Sequence, residues 1–265
     1  MTNSDALMIG IDFGAKFTKV SWLLDGSPGN DTRFVNQWLS TMNQDANRSE
    51  VPSEIHYNEE TGRITWGFNI PIDCEPIGSL KLLLVNQKGL PAHLQGNKNI
   101  QASHQKVYRL GKTSVEVVGD YLRELYEHSI QVIEMREGVE RIRTVPIILV
   151  FSIPPTWKEP SVESLRLAAQ HGGLLNRPGK TAVTFVTESH ATLCSTIPVL
   201  TELSPLHNGD TVILVDLGGT AMNVSTVQLG SGRISRTTRT SGRLGGTAFV
   251  DECFENLLKT NHVDH

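Results

Sequence analysis

The chain has 265 residues, enough for one large domain or two smaller ones with a substantial core. Apolar residues make up 38% and charged residues 20%, and the net charge of -4 argues against a nucleic-acid binder that relies on a broad basic face. No apolar run approaches the roughly 20 residues of a membrane helix, and the opening Met1-Thr2-Asn3-Ser4-Asp5 lacks the basic stretch of a secretory signal. The scattered Cys74, Cys194 and Cys253 read as reduced thiols, giving an expected cytoplasmic location with the nucleus as the alternative.

In chain order, residues 7–13 and 17–24 read as a hairpin with its turn at Gly14-Ala15-Lys16. A third strand is predicted over 34–39, between polar loops at 25–32 and 40–50. Short strands at 51–57 and 63–67 flank a turn at Glu59-Glu60-Thr61-Gly62. Residues 77–86 form a compact apolar stretch carrying Lys81, and 87–101 read as a polar loop. Val117, Val118, Tyr121, Leu122, Leu125, Ile130 and Ile133 recur at helical spacing and predict a helix over 114–137. The unbroken run 145–153 suits a buried parallel strand, ended by Pro154-Pro155. Ser161 is the expected cap of a helix reaching His171, stopped by Gly172-Gly173. A strand at 182–186, a helix at 188–200 and a linker at 204–210 follow. The remainder predicts a meander of strands at 211–217, 222–229 and 233–240, then a helix over 246–259.

The two halves begin alike. Ile9-Gly10-Ile11-Asp12-Phe13-Gly14 and Leu214-Val215-Asp216-Leu217-Gly218 are each an apolar run ending in an aspartate, one apolar residue and a glycine. Each is followed by a second strand-like run, so the repeat is architectural rather than a short-period array. A carboxylate at the carboxyl end of a buried strand sits where open α/β sheets place their ligands. There it can hold Mg²⁺ through water, because this ion dehydrates reluctantly. Adjacent glycines let backbone N–H groups approach phosphate oxygens. A single Asp-x-Gly is more often only the entry to a turn. Two copies in matching hairpins point to a two-lobed nucleotide site.

Other motifs fail. Gly111-Lys112-Thr113 ends like a P-loop, but Lys106 stands where its first glycine is required. Nine histidines include no H-E-x-x-H, and no G-x-S-x-G elbow is present. Arg233, Arg236, Arg239 and Arg243 read as a solvated strand edge.

Taken together, the motifs resemble the nucleotide-binding domain of the seventy-kilodalton heat-shock chaperones, within the actin and sugar-kinase ATPase superfamily, and most of all its divergent fungal and animal heat-shock-like branch. Gly10-Ile11-Asp12-Phe13-Gly14 resembles the first phosphate motif and Val215-Asp216-Leu217-Gly218-Gly219-Thr220 the second. Ser152-Ile153-Pro154-Pro155-Thr156-Trp157 is similar to the family's "VPAYF" strand, and Val186-Thr187-Glu188-Ser189-His190-Ala191 to its "NEPTAA" segment. Leu244-Gly245-Gly246-Thr247-Ala248-Phe249-Val250 is similar to its "LGGEDFD" helix start, and Val51-Pro52-Ser53 to its "TPS". Lys81 stands where the family has its catalytic lysine. No single motif is highly specific, but their order is.

The resemblance implies a ribonuclease H-like, actin-type α/β fold. Its first lobe would span 1–203 with an insertion at about 40–112, and 211–265 would start an incomplete second lobe. It implies ATP and Mg²⁺ as cofactors, ADP as product, protein clients or co-chaperones as partners, and neither nucleic acid nor membrane. Asp12 and Asp216 would organise Mg²⁺ and its water shell. Gly14, Gly218 and Gly219 would offer backbone N–H groups to the phosphates, beside Thr220. Glu188 would orient metal-bound water, and Lys81 would stabilise charge on the transferring phosphoryl group.

The departures bear on activity. The family's two hydroxyl residues after the first glycine are here Ala15 and Lys16, the lysine being placed to contact phosphate as in the actin branch. Asn223 stands in place of an acid, and Ser189 in place of a proline. The family's glycine-rich adenosine motif does not follow Gly246, so the chain reads as C-terminally truncated. Two expectations result: a slowly hydrolysing chaperone ATPase domain, or a hydrolysis-deficient pseudo-ATPase that acts as an interaction module. A small-molecule kinase of the same superfamily fits the 152–157 and 186–191 segments less well.

Overall fold

The computed structural model describes residues 6–25, 32–40, 47–86, 90, 96–176, 181–203, 206–219, 221–230, 233–244, 246, 247, 250, 253, 254, 257 and 258. They divide into two units, Met1–Ile153 with Trp157–Phe185, and Pro154–Thr156 with Val186–His265. The protein is mixed α/β, with parallel and antiparallel strands in its main sheet.

In the first unit, strict alternation builds the central hairpin. Strand β1 (Leu7–Phe13) buries Leu7, Ile9, Ile11 and Phe13, and its antiparallel partner β2 (Phe17–Leu24) buries Thr18, Val20, Trp22 and Leu24 on the same face. Short strands β3 (Arg33–Phe34) and β4 (Val51–Pro52) both pair with β2. Strands β5 (Ile55–Tyr57) and β6 (Ile64–Trp66) make a separate hairpin. Strand β7 (Ile147–Ile153) runs parallel to β1, and β8 (Thr181–Thr187) completes the sheet order β3-β2-β1-β7-β8.

The helices of this unit are α1 (Leu80–Leu83), α2 (Lys98–Arg109), α3 (Ser114–Glu137), α4 (Val139–Thr144) and α5 (Glu159–His171). Helix α3 starts on a capping box: the Thr113 side chain accepts from the Glu116 N–H, and Glu116 accepts from the Thr113 N–H. Its buried stripe of Val117, Val118, Tyr121, Leu122 and Leu125 belongs to the core under the hairpin. Helix α5 approaches α3 so closely that a Cβ on Gly119 would lie 2.8 Å from the Ala168 carbonyl oxygen.

Several elements differ from expectation, among them helix α4, which the sequence reading did not predict. The strand predicted at 34–39 ends at Phe34, and Val35 and Trp38 enter the core from irregular backbone that is anchored when the Trp38 indole donates to the Arg48 carbonyl at 2.8 Å. The polar loop expected at 87–101 gives way at its end to α2, whose N-cap Asn97 accepts from the N–H groups of Asn99 and Ile100. Helix α5 begins at Glu159 rather than at Ser161, with Pro160 in its first turn. Proline there sacrifices no hydrogen bond and is already set to a helical φ.

Beneath the α3–α5 crossing lies a buried ion cluster. Asp120 is only 3% exposed. Its Oδ2 accepts from the Tyr57 hydroxyl at 2.8 Å and Lys112 Nζ at 2.9 Å, and its Oδ1 accepts from Arg123 at 2.9 Å. Burial opposes the Asp120 charge, yet hydrogen bonds from Lys112 and Tyr57 and the charges of Lys112 and Arg123 hold its carboxyl below the ordinary aspartate range. For Tyr57, burial and then the bond to Asp120 push the phenol well above its usual value.

In the second unit, helix α6 (Glu188–Leu203) is followed by the antiparallel meander β9 (Thr211–Leu217), β10 (Ala221–Gly230) and β11 (Arg233–Leu244). Helix α6 falls in the same unit as this meander. One face of β9 is apolar and open: Ile213 and Leu217 are each 66% exposed. Of the predicted helix over 246–259, Gly246 is not helical, Thr247, Val250, Cys253, Phe254, Leu257 and Leu258 are, and the rest lies outside the described residues.

Two outcomes test this packing. Gly119→Ala should destabilise the fold by about 1–3 kcal/mol in urea titration, because the methyl meets backbone that cannot swing aside. Asp120→Asn should cost about 2–3 kcal/mol at neutral pH, the figure being moderated because Lys112 and Arg123 are 34% and 33% exposed. The folded carboxyl titrates below its unfolded value of about 3.9, so the stabilisation is whole above that pH and is lost as pH falls through the folded value. The variant should therefore lose less stability than the wild type on acidification.

Candidate functional site

In the first unit the site begins at the carboxyl end of β1. Alternation turns Asp12 to the face opposite Ile11 and Phe13, where it is exposed. In the parallel ladder Gly10 lies beside Val150 and Ile11 beside Phe151, so the next step brings Asp12 level with Ser152. The Ser152 hydroxyl donates to Asp12 Oδ1 at 2.6 Å. Across the hairpin Asp12 faces Lys19, whose Nζ lies 3.6 Å from Glu50.

The following turn is tight for a stated reason. A Cβ on Gly14 would collide with the Phe17 carbonyl oxygen, so glycine is required there. The Gly14 N–H bonds to that same carbonyl at 3.1 Å, closing the hairpin; in this conformation it serves the turn rather than an incoming phosphate. Ala15 and Lys16 are half-buried at the bend, and the Lys16 carbonyl accepts from the Ser53 N–H at 2.8 Å.

A buried polar chain braces this turn from below. The hydroxyls of Thr18 and Ser53 are 2.8 Å apart, and the Tyr121 hydroxyl reaches Thr18 Oγ1 at 2.9 Å and the Pro52 carbonyl at 3.3 Å. Burial raises the Tyr121 phenol well above its ordinary value, which keeps it a neutral donor. The sequence reading gave these bracing residues and Ser152 no role at the site. For Ser152 a signal existed: it is a hydroxyl near the end of an otherwise apolar strand, IILVFSI.

Lys81 is 5% exposed on α1, with Nζ 5.7 Å from the centroid of the Trp157 ring. The preceding Ser79 has φ 54, a left-handed conformation rare for a residue with a Cβ. A solvated surface lysine is therefore not what the fold makes of this position.

In the second unit Asp216 lies across the ladder from Asn223. The Asn223 amide, 3% exposed, donates toward Asp216 Oδ2 at 3.5 Å and toward Glu188 Oε2 at 3.4 Å. A neutral amide thus sits between two carboxylates, one from β9 and one from the first turn of α6. The glycine turn after Asp216 is packed on backbone: the Thr247 N–H donates to the Gly218 carbonyl at 3.2 Å, and a Cβ on the buried Gly246 would strike Gly218 and Gly219. Thr220 lies outside the described residues.

Among the described residues no three His, Cys, Asp or Glu side chains gather to hold a metal ion. The carboxylates of each unit, taken by themselves, still suit Mg²⁺, which keeps most of its waters and takes one or two carboxylates together with substrate phosphates. Asp12 offers hard oxygen at an open strand end, and Asp216 with Glu188 offers two more carboxylates. No protein-family model matches the chain, and no curated protein matches it either.

The amide bridge makes a prediction. Asn223→Asp would set three carboxylates together, and the melting temperature should fall by about 2–4 °C at neutral pH. Millimolar Mg²⁺ should recover that loss in the variant and leave the wild type little changed. A variant as stable as wild type without Mg²⁺ would contradict the bridge geometry.

Proposed function

We propose that the chain is a nucleotide-binding domain of the actin-like ATPase type, similar to the seventy-kilodalton heat-shock chaperones, which takes ATP with Mg²⁺. The observation that supports this reading most is the repeated hairpin, in which a strand carries an aspartate to a glycine turn at Asp12 and again at Asp216. In the first unit the aspartate lies where two parallel strands end side by side, the position at which open α/β sheets bind ligands.

In this reading Asp12 is the carboxylate of the first unit that takes hydrated metal, and Asp216 with Glu188 is the carboxylate pair of the second. Bound Mg²⁺ would neutralise the phosphates and polarise the phosphorus centre. The Lys81 ammonium, buried against Trp157, supplies positive charge that burial keeps from bulk screening. Lys16 at the first turn adds a cation for phosphate. Hydrolysis is slow, ADP is the product, and the domain serves protein clients or co-chaperones in the cytoplasm.

A second reading, nucleotide binding without hydrolysis, is favoured by Asn223. Its amide puts no charge between Asp216 and Glu188, where the resemblance calls for an acid. Ala15 likewise brings no hydroxyl to the first turn.

Calorimetric titration with Mg-ATP tests the shared premise. The expected result is micromolar binding that Asp12→Asn weakens roughly 100-fold. Absence of binding by the wild-type chain overturns the proposal. Single-turnover assays with radiolabelled ATP separate the two readings: slow ADP formation abolished by Lys81→Ala supports the ATPase, and bound ATP that persists intact supports the second.

A further inference from the structure

Ser152 is an unusual residue for its place. Strand β7 buries Ile147, Leu149 and Phe151 on one face, and alternation would leave Ser152 with the half-buried Ile148 and Val150. Instead it is 8% exposed. A hydroxyl so enclosed needs a partner, since leaving one unmet costs about 1–3 kcal/mol. It has one in Asp12 Oδ1 at 2.6 Å, a residue 140 positions away along the chain. That length is typical of a hydroxyl bonded to an ionised carboxylate.

Asp12 is exposed and sits at the last step but one of β1, where an aspartate would otherwise swing among its rotamers. The β1–β7 ladder pins the two backbones to each other through Ile11 and Phe151. The face shared by these strands is kept low near Asp12: Gly10 has no side chain, and a Cβ there would come within 2.8 Å of Ser21 Oγ. Room for the carboxylate is therefore provided, and one hydroxyl sets its direction.

We infer that Ser152 is a positioning residue, whose hydroxyl holds Asp12 Oδ1 and so fixes the direction in which Oδ2 is presented beyond the strand end. Holding one oxygen in advance removes the ordering cost that a flexible carboxylate would meet when a hydrated cation arrives. The ligand in this inference, Mg²⁺ carried by a nucleotide, rests on the function proposed above. The orientation of Asp12 does not.

Two measurements keep those separate. Side-chain scalar couplings measured by nuclear magnetic resonance report the χ1 population of Asp12 without any ligand. The wild type and Ser152→Thr should show one rotamer, and Ser152→Ala should show averaging. A single rotamer in Ser152→Ala overturns the inference, whatever the nucleotide does. Calorimetric titration supplies the second readout. Ser152→Ala should weaken Mg-ATP about tenfold while metal-free ATP binds as in the wild type, and Ser152→Thr should restore most of the loss. Equal weakening with and without Mg²⁺ would mark a general structural defect and overturn the positioning role. If the wild type binds no Mg-ATP, the nucleotide reading fails and the coupling data alone decide the role of Ser152.

Discussion

Strand β1 has ladder partners on both edges, β2 antiparallel and β7 parallel, and this double pairing is the constraint on which the first unit depends. A slip of one residue would turn Leu7, Ile9, Ile11 and Phe13 out of the core together. At roughly 1.5–3 kcal/mol for each large apolar side chain, that penalty far exceeds anything the polar residues of the strand contribute. Asp12 is therefore placed by its apolar neighbours. They also decide that it meets Ser152 and faces Lys19, and that the chain must turn back at once through Gly14.

Below the turn, precision comes from a different source. Thr18, Ser53 and Tyr121 are fully buried, and each would be costly in the core alone. Linked by hydrogen bonds they tie the hairpin, the strand β4 segment and helix α3 to one another. The Asp120 cluster does the same for β5, α3 and the 110–113 segment, with a full charge at its centre. The second unit reaches its carboxylates with less support. Its strand β9 pairs with β10 alone among the described residues, and Asn223 is the group that touches both Asp216 and Glu188.

Local chemistry made much of this legible. The hairpin at 7–24 was readable from alternation and its glycine turn, and helix α3 from helical spacing. The segment 34–39 failed because Val35 and Trp38 are held by contacts to Val20 and Arg48 that no local pattern encodes. Helix α2 was hidden by its polar surface, although Asn97 marks its start and Ile100, Ser103 and Val107 mark its inner face. At the site, the two aspartates were visible as a repeated motif. Asn223 was visible only as the replacement of an acid and Ser152 only as part of a strand motif; that each touches an aspartate follows from strand register, a property of two segments at once.

The contact of Gly246 with the Gly218–Gly219 turn has a mechanical side. Where two elements meet through side chains, rotamer changes absorb small displacements. Here the atoms facing Gly246 are backbone atoms of Gly218 and Gly219, which have no rotamers to change. A side chain at position 246 would therefore displace the turn beside Asp216 rather than pack against it.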